Sequence, residues 1–342
     1  MSTTNANRQW WIFVAALALA SAVPYIVMPL NVIRGADVQT LALVAAVVNF
    51  LGGTAHVGST GFFLFDGRMR RYFLGHPIRF FVAPLAIMAF YGMIFGYADQ
   101  QSKAFALLIH FIWQIYHYQR QNFGILSFGV AREGGRPVSR LERYALNISV
   151  IAAILALTKH YNLLQGMIFA DQQALLYQAG LWLYLSVPLL LIYLFATEKA
   201  LRRISIRPVF LVLGCAFYIP SFLFDDPSAA VLGYALAHGL QYLIFMVVVS
   251  KKAFTVSLRG LVLMGLSAGV LGWVLAKSSS AETFLSGPLA GGVFGVYLGG
   301  VMTHFLYDAG IWRLREAFQR GYMREAFWFI FDPDRAHRRA AE

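Results

Sequence analysis

The sequence predicts an all-α protein, a polytopic transmembrane helical bundle of about ten spans with both termini in the cytoplasm. Of the 342 residues, 59% are hydrophobic and 13% are charged, and the mean hydropathy is +0.61. Soluble domains contain about 25% charged residues, so this composition indicates a membrane protein. Apolar stretches of the length needed to cross a bilayer, and the distribution of basic residues between them, support the same interpretation.

Ten stretches of the chain are long and apolar enough to be considered as spanning helices, each of which needs about 20 residues. They cover residues 10–30, 39–65, 79–98, 104–128, 144–160, 174–196, 208–224, 229–250, 260–276 and 288–312. The fifth, seventh and ninth stretches are the shortest. An even number of spans returns the chain to the side on which it started.

The basic residues orient these helices. With a cytoplasmic amino terminus, 23 of the 28 Lys and Arg residues fall on the inner side, four on the outer side and Arg120 within a span. Basic residues collect in cytoplasmic loops of membrane proteins, so the alternation favours cytoplasmic termini. The net charge of +12 is explained by orientation and by attraction to anionic membrane lipids, and nucleic acid is not expected as a partner.

The predicted spans form one transmembrane domain over residues 1–312, followed by a basic, amphipathic cytoplasmic tail over 313–342. The tail is expected to lie along the inner membrane interface. Asp66, at an inner helix end, is expected to have an ordinary surface role. The single Cys215 excludes a disulfide within the chain. The expected location is the cytoplasmic membrane of a bacterium, and the oligomeric state is left open.

Four histidines lie at similar depths in four different predicted spans. With a rise of about 1.5 Å per residue, His117 and His238 lie within about 2 Å of the membrane midplane, and His56 and His304 about 6 Å towards the cytoplasm. Ionisable groups at membrane depth usually face a partner, a cavity or a cofactor. Imidazole nitrogens bind iron, copper and zinc, so these four histidines are the predicted metal ligands.

The predicted site contains one carboxylate and one arginine. Asp308 follows His304 at i+4, which places both side chains on one helix face, and it is expected to be the fifth ligand or a base beside the metal. Arg120 is charged within a predicted span, and is expected either to balance Asp308 or to bind an anionic group of the substrate. Asp308 and Arg120 are therefore the candidate catalytic residues.

Further polar side chains are expected to orient the ligands through hydrogen bonds to their second ring nitrogens. These are Gln114, Gln121, Gln241 and Tyr242. His110 lies about 10 Å further out than His117 on the same helix face, so it cannot share the same ion and is considered only as a supporting residue.

Three functions agree with this pattern. A non-haem iron site, mononuclear or dinuclear, is favoured by four histidines at one depth. Haem b is the alternative cofactor, because glycines near the histidines would leave room for a porphyrin: Gly52, Gly53, Gly58, Gly61, Gly239, Gly299 and Gly300. A proton-coupled transporter is the third, in which His110, His117, Arg120 and Asp308 relay protons.

Four segments resemble the sites of multi-pass, histidine-cluster membrane oxygenases, notably the bacterial carotene-cleaving dioxygenases of the bacteriorhodopsin-related-protein type. They are HVGSTGFFLFD (56–66), HFIWQIYHYQRQNFG (110–124), AHGLQY (237–242) and HFLYD (304–308). The last contains the His-x3-Asp pair of that family. The resemblance implies iron and a lipid-like or isoprenoid substrate, which would be hydroxylated, desaturated or cleaved with O2. A protein that donates electrons is an expected partner.

Overall fold

The computed structural model describes residues 3–27, 46–134, 136–159, 170–202, 205–223, 227–254 and 256–332. Within these ranges all regular secondary structure is helical, which confirms the all-α prediction. The α-helices are α1 (Thr3–Val27), α2 (His56–Ser59), α3 (Gly67–Leu74), α4 (Ala83–Tyr97), α5 (Gln100–Glu133), α6 (Arg140–Ala156), α7 (Ala170–Thr197), α8 (Ile206–Ala216), α9 (Pro220–Leu223), α10 (Pro227–Ala253), α11 (Ser257–Ser279), α12 (Gly287–Ile311), α13 (Ala317–Ala326) and α14 (Trp328–Phe331). Residues 49–55 and 78–82 form π-helices, and residues 60–64, 157–159 and 281–283 form 3-10 helices.

In the described part of the chain, six helical segments are long and apolar enough to cross a membrane, which indicates an integral membrane protein. They are Ile78–Tyr97, Gln172–Thr197, Ile206–Leu223, Gly233–Ala253, Ser257–Ser279 and Gly287–Ile311, and they correspond to the third and the sixth to tenth predicted spans. Part of the second predicted span, residues 39–45, lies outside the described residues. The count of ten spans and the side on which the termini lie stay predictions.

The helices group into two compact units, each built from separate parts of the chain. Unit 1 comprises Met1–Ala36, Leu107–His238 and Phe329–Glu342, and unit 2 comprises Asp37–Ala106 and Gly239–Trp328. The boundaries fall inside α5 and α10. The predicted tail is therefore divided: its described residues up to 328 belong to unit 2, and residues 329–332 to unit 1.

In unit 2, a stripe of glycines allows α12 to approach α4 closely. A Cβ atom on Gly291, Gly295 or Gly299 would lie only 2.2–2.6 Å from backbone atoms of Phe95, Tyr91 and Met88 respectively. The contacts run in opposite directions along the two helices, so the pair is antiparallel. Small residues at four-residue spacing are typical of helix contacts in membranes, where close backbone packing stabilises association.

The segment that contains His56 changes its helical type twice. It is a π-helix over Asn49–Ala55, an α-helix over His56–Ser59 and a 3-10 helix over Thr60–Leu64. Short π-helical turns often occur at functional sites because they reorient side chains. Glycines also fix this segment in unit 2, because a Cβ on Gly58 would lie 2.5 Å from the Gly272 nitrogen.

In unit 1, residues of α5, α6, α7 and α10 and the residues after α8 form an aromatic core that includes Tyr184, Phe217, Tyr218 and Tyr234. The same unit contains a buried ion pair. The Arg207 guanidinium donates two hydrogen bonds to Glu142, at 2.8 and 2.6 Å, and Glu142 also completes the capping box of α6. The arginine donates further bonds to the carbonyls of residues 136 and 137, so the pair ties the α5–α6 turn to α8.

The expectation that Asp66 is an ordinary surface residue requires correction. Asp66 is only 2% exposed: it caps α3 by accepting from the backbone of Arg68 and Met69, and it accepts from the Tyr322 hydroxyl at 2.9 Å. The beginning of the predicted tail is a packed element, because Met323 of α13 is completely buried, and its position along the inner membrane interface stays a prediction. The apolar face of α13 contacts protein in unit 2. Residues 333–342 of the predicted tail lie outside the described residues.

Candidate metal centre

Unit 2 brings together two pairs of polar residues, each spaced i, i+4 on its own helix. His56 and Thr60 lie at the change from α-helix to 3-10 helix, and His304 and Asp308 lie on α12. All four are at most 7% exposed. The His56 and His304 rings meet edge to face, with their centroids 5.0 Å apart. Tyr242 of α10 packs against both histidine rings.

Hydrogen bonds connect these residues in a continuous chain. The Thr60 hydroxyl lies 2.8 Å from His304 Nδ1 and 3.1 Å from the Tyr242 hydroxyl, and Tyr242 donates to Asp308 Oδ1 at 2.9 Å. The direction of these hydrogen bonds follows from the carboxylate, which can only accept. Because Tyr242 donates its proton to Asp308, its oxygen accepts from the Thr60 hydroxyl, and Thr60 in turn accepts from His304 Nδ1–H. In that arrangement the lone pair of His304 is on Nε2.

The second nitrogen of His304 faces the second carboxylate oxygen of Asp308. Nε2 and Oδ2 are 3.5 Å apart. Two ligand atoms at about 2.1 Å from one ion lie about 3.0 Å apart at a right angle and about 3.4 Å apart in a tetrahedron, so the observed spacing fits a shared cation. A ring nitrogen of His56 lies within 4.8 Å of one on His304. His304 therefore lies close both to the imidazole of His56 and to the carboxylate of Asp308.

Unit 1 contains a second histidine pair. The rings of His117, on α5, and His238, on α10, lie 4.9 Å apart at an angle of 78°, and the Tyr118 ring lies 4.4 Å from His238. Both histidines are buried. The two predicted histidine pairs thus form within separate units. That all four histidines bind one ion remains a sequence-based prediction.

Two of the predicted supporting residues have hydrogen bonds at these sites. Gln121 donates to the backbone carbonyl of His238 at 3.0 Å, and Tyr242 donates to Asp308. Their predicted role in orienting the histidine rings stays a prediction. Gln241 and His110 are buried, at 1% and 4% exposure, and Gln114 is half-buried. The support of His304 comes from Thr60, because its hydroxyl meets Nδ1.

Arg120 is exposed in unit 1, with its guanidinium over the Phe123 ring at 5.4 Å from the centroid. Asp308 belongs to unit 2, where Tyr242 and His304 are its neighbours. The predicted charge balance between Arg120 and Asp308 therefore stays a prediction. The alternative role of Arg120, binding an anionic group, agrees with its exposure.

Several of the glycines that were expected to make room for haem serve helix packing in unit 2. A Cβ on Gly239 would lie 2.6 Å from Gly52 Cα, one on Gly299 2.6 Å from Met88 Cα, and one on Gly61 2.4 Å from the Leu271 side chain. Neighbouring protein atoms fill the space next to these glycines. The direct contact of the His56 and His304 rings likewise leaves no space for a porphyrin between them.

Sequence reasoning missed Thr60. Threonines are common in membrane helices, where they usually bond the carbonyl one turn earlier, so its residue type alone gave no signal. Its spacing of four residues after His56, parallel to the spacing of His304 and Asp308, was the available indication.

Comparisons with family models, with curated proteins and with solved structures found no match for this chain. The assignment of a function consequently depends on the residues and their geometry.

Proposed function

We propose that this integral membrane protein holds a metal ion through His56, His304 and Asp308 and uses it to oxidise a lipid or isoprenoid with O2. The observation on which the proposal depends is the 3.5 Å approach of His304 Nε2 and Asp308 Oδ2. With Nδ1 donating to Thr60, both facing atoms are acceptors. Two acceptors at this distance repel one another unless a metal ion or a shared proton lies between them, and a metal ion satisfies both.

The ligand set favours iron over other metals. Two histidines and one carboxylate with open positions are typical of non-haem Fe(II) oxygenases, and ferrous iron bound in this way supplies the capacity to activate O2. Within the site, Thr60 would fix the tautomer and ring orientation of His304, and Tyr242 would orient Asp308. Loss of such a supporting contact typically weakens metal binding by about 10–100-fold. A mononuclear site needs only these three ligands, and the participation of His117 and His238 stays a prediction from the sequence.

The surroundings of the site in unit 2 favour an apolar substrate. Val57, Val301 and Phe305 form a buried cluster beside the two histidines, with Leu275, Tyr297 and Met302 packed against it. An apolar environment also keeps water from reactive oxygen species. If one oxygen atom is inserted into a C–H bond, the other is reduced to water by two electrons, which the proposed electron-donor protein would supply. Cleavage that incorporates both oxygen atoms needs no donor.

Oxygen consumption by the purified protein tests this proposal. Detergent-solubilised protein loaded with Fe(II) is mixed with a lipid extract of its host membranes in an oxygen-electrode cell, with and without a chemical reductant. We expect O2 uptake and an oxygenated lipid in mass spectrometry, both abolished in Asp308→Asn. The matched control is His76→Ala, because His76 is exposed and its ring contacts only the neighbouring turn and Tyr72. Equal O2 uptake in wild type and Asp308→Asn would refute the proposal.

The same 3.5 Å contact supports one alternative, a proton-coupled transporter. A proton shared by His304 Nε2 and Asp308 Oδ2 would also relieve the repulsion between them. The two functions differ in what they require. A transporter moves its solute in sealed liposomes along a pH gradient without metal, whereas the oxygenase needs metal and works in detergent. Uptake by metal-free protein would replace the oxygenase proposal.

A further inference from the structure

Unit 1 contains a cavity of about 150 Å³ between α5 and α6 that the histidine site does not use. Its lining residues are Tyr116, Gln119, Arg120, Phe123, Arg143, Leu146 and Asn147. The buried amide of Gln119 donates to the carbonyl of Leu146, which joins the two helices at the cavity. Two arginines, two amides and a phenol thus converge on one small space, and all of them can donate hydrogen bonds.

The two arginines lie beside the same aromatic ring. The guanidinium carbons of Arg120 and Arg143 are 5.4 and 5.8 Å from the Phe123 ring centroid. Cations over an aromatic face are stabilised by its negative quadrupole. The ring therefore holds two positive charges near each other. Arg143 is further oriented by hydrogen bonds to the Val138 carbonyl through Nε and one terminal nitrogen, at 3.3 and 3.1 Å.

Among the described residues, no carboxylate pairs with either arginine. The lining of the cavity contains no Asp or Glu, and in the described part of the chain neither arginine forms an ion pair. Glu142 is adjacent to Arg143 in sequence, but it is completely buried and bonded to Arg207. The cavity is consequently positive, and two nearby positive charges are stabilised by an anion that bridges them.

The exposed side chains around the cavity indicate where the anion comes from. Trp113, Tyr116 and Tyr144 are 47%, 45% and 55% exposed. Tyrosine and tryptophan are enriched where a membrane protein meets the headgroup region. The sequence places Arg143 in a cytoplasmic turn, and Arg120 lies on the half of α5 that leads to it. Basic pockets between helices on that side bind anionic lipid headgroups.

We propose that this cavity binds the phosphate group of an anionic phospholipid of the inner leaflet, with Arg120 and Arg143 as the phosphate ligands. Gln119, Tyr116 and Asn147 border the phosphate, and the acyl chains lie against the exposed apolar surface beside Trp113. The metal is not needed for this site, because all the residues that form it belong to unit 1.

Native mass spectrometry of the full-length protein in detergent tests the assignment. Phosphatidylglycerol and phosphatidylcholine with identical acyl chains are titrated into wild type, Arg120→Gln, Arg143→Gln, the double variant and Arg140→Gln. Arg140 is the control because it is exposed and lies one turn before Arg143 on α6, but does not line the cavity. We expect tighter binding of phosphatidylglycerol, weakened about fivefold in each single variant, since one basic residue near a membrane contributes about 1 kcal/mol.

The remaining arms separate the possible outcomes. The double variant should bind phosphatidylglycerol about 25-fold more weakly, whereas Arg140→Gln should bind as wild type does. Thermal unfolding of lipid-depleted protein with inorganic phosphate distinguishes the source of the phosphate group. Stabilisation by inorganic phosphate as large as that by phosphatidylglycerol would contradict the lipid assignment. Equal phosphatidylglycerol binding by wild type and by a folded double variant would overturn the site itself.

Discussion

Replacing Thr60 with valine tests the hydrogen-bond chain on which the proposed metal site depends. Valine has nearly the shape of threonine but lacks the hydroxyl, so it removes the 2.8 Å contact with His304 Nδ1 and the 3.1 Å contact with Tyr242. Tyr242 still donates to Asp308. The His304 ring then loses the group that directs its Nε2 lone pair towards Asp308.

Both metal affinity and stability should fall. Loss of a residue that orients a metal-bound histidine typically weakens metal binding by about 10–100-fold, or about 1.4–2.7 kcal/mol. The apoprotein should lose about 1–3 kcal/mol, because a buried polar group loses its partner. Thr60→Ser is the matched control, since it keeps the hydroxyl and removes one methyl group.

Chelator competition in detergent measures the metal affinity, and thermal unfolding of metal-free protein measures stability. We expect weak metal binding in Thr60→Val and nearly wild-type affinity in Thr60→Ser. If Thr60→Val leaves metal affinity unchanged while Asp308→Asn abolishes binding, the Thr60 contact does not orient His304. That result would refute the hydrogen-bond direction inferred for Thr60, Tyr242 and His304, but not the assignment of Asp308 as a ligand.

Three further outcomes follow from the packing and the site. Gly295→Ala should lower stability by about 1–3 kcal/mol, because its new methyl group would meet the Tyr91 carbonyl at 2.2 Å. Gly265→Ala should not lower stability, because nothing lies within 4 Å of its added Cβ. Thermal unfolding compares the two variants, and equal midpoints would contradict the described helix contact. Glu142→Gln should lower the free energy of unfolding by about 3–5 kcal/mol, since it leaves the Arg207 charge buried without its partner. The same measurement on the Glu142→Gln, Arg207→Met double variant tests this cause, because stability should recover when the unpaired charge is also removed. Metal affinity should fall as the pH is lowered, because imidazole and carboxylate bind metal in their deprotonated forms; affinity independent of pH between 5 and 8 would argue against histidine ligands.

The fold could be predicted in outline because hydropathy and basic residues report directly on membrane insertion. The packing of the helices against one another could be predicted less well from the sequence. Gly299 on α12 was interpreted as space for a cofactor, but in unit 2 it allows the backbone of α12 to approach that of α4. Sequence gives the small size of a residue, whereas only the fold determines which neighbour fills the space beside it. The burial of Asp66 was missed for a similar reason, since its partner Tyr322 is 256 residues away.

The sequence indicated which histidines and which carboxylate could lie together, but not the hydrogen bonds between them and their neighbours. His304 and Asp308 were paired correctly on one helix face, because the i, i+4 spacing fixes that geometry. The closeness of His56 to His304 agrees with the depth estimate, which needs only the rise of a helix. Which side chains orient the ligands depends on helix rotation and on the local change from π-helix to 3-10 helix. Thr60 and Tyr242 could therefore not be assigned to His304 and Asp308 from sequence.

Elemental analysis and the absorption spectrum of the purified protein test directly whether it binds non-haem iron. Protein is expressed with iron in the medium, solubilised, and compared with a His304→Ala, Asp308→Asn double variant and with His76→Ala. The single variants His56→Ala and His117→Ala show whether each of these histidines contributes to iron binding. We expect about one non-haem iron per chain in wild type and His76→Ala, no Soret band, and little iron in the double variant. The same metal content in wild type and the folded double variant would contradict this expectation, and a Soret band would assign haem instead.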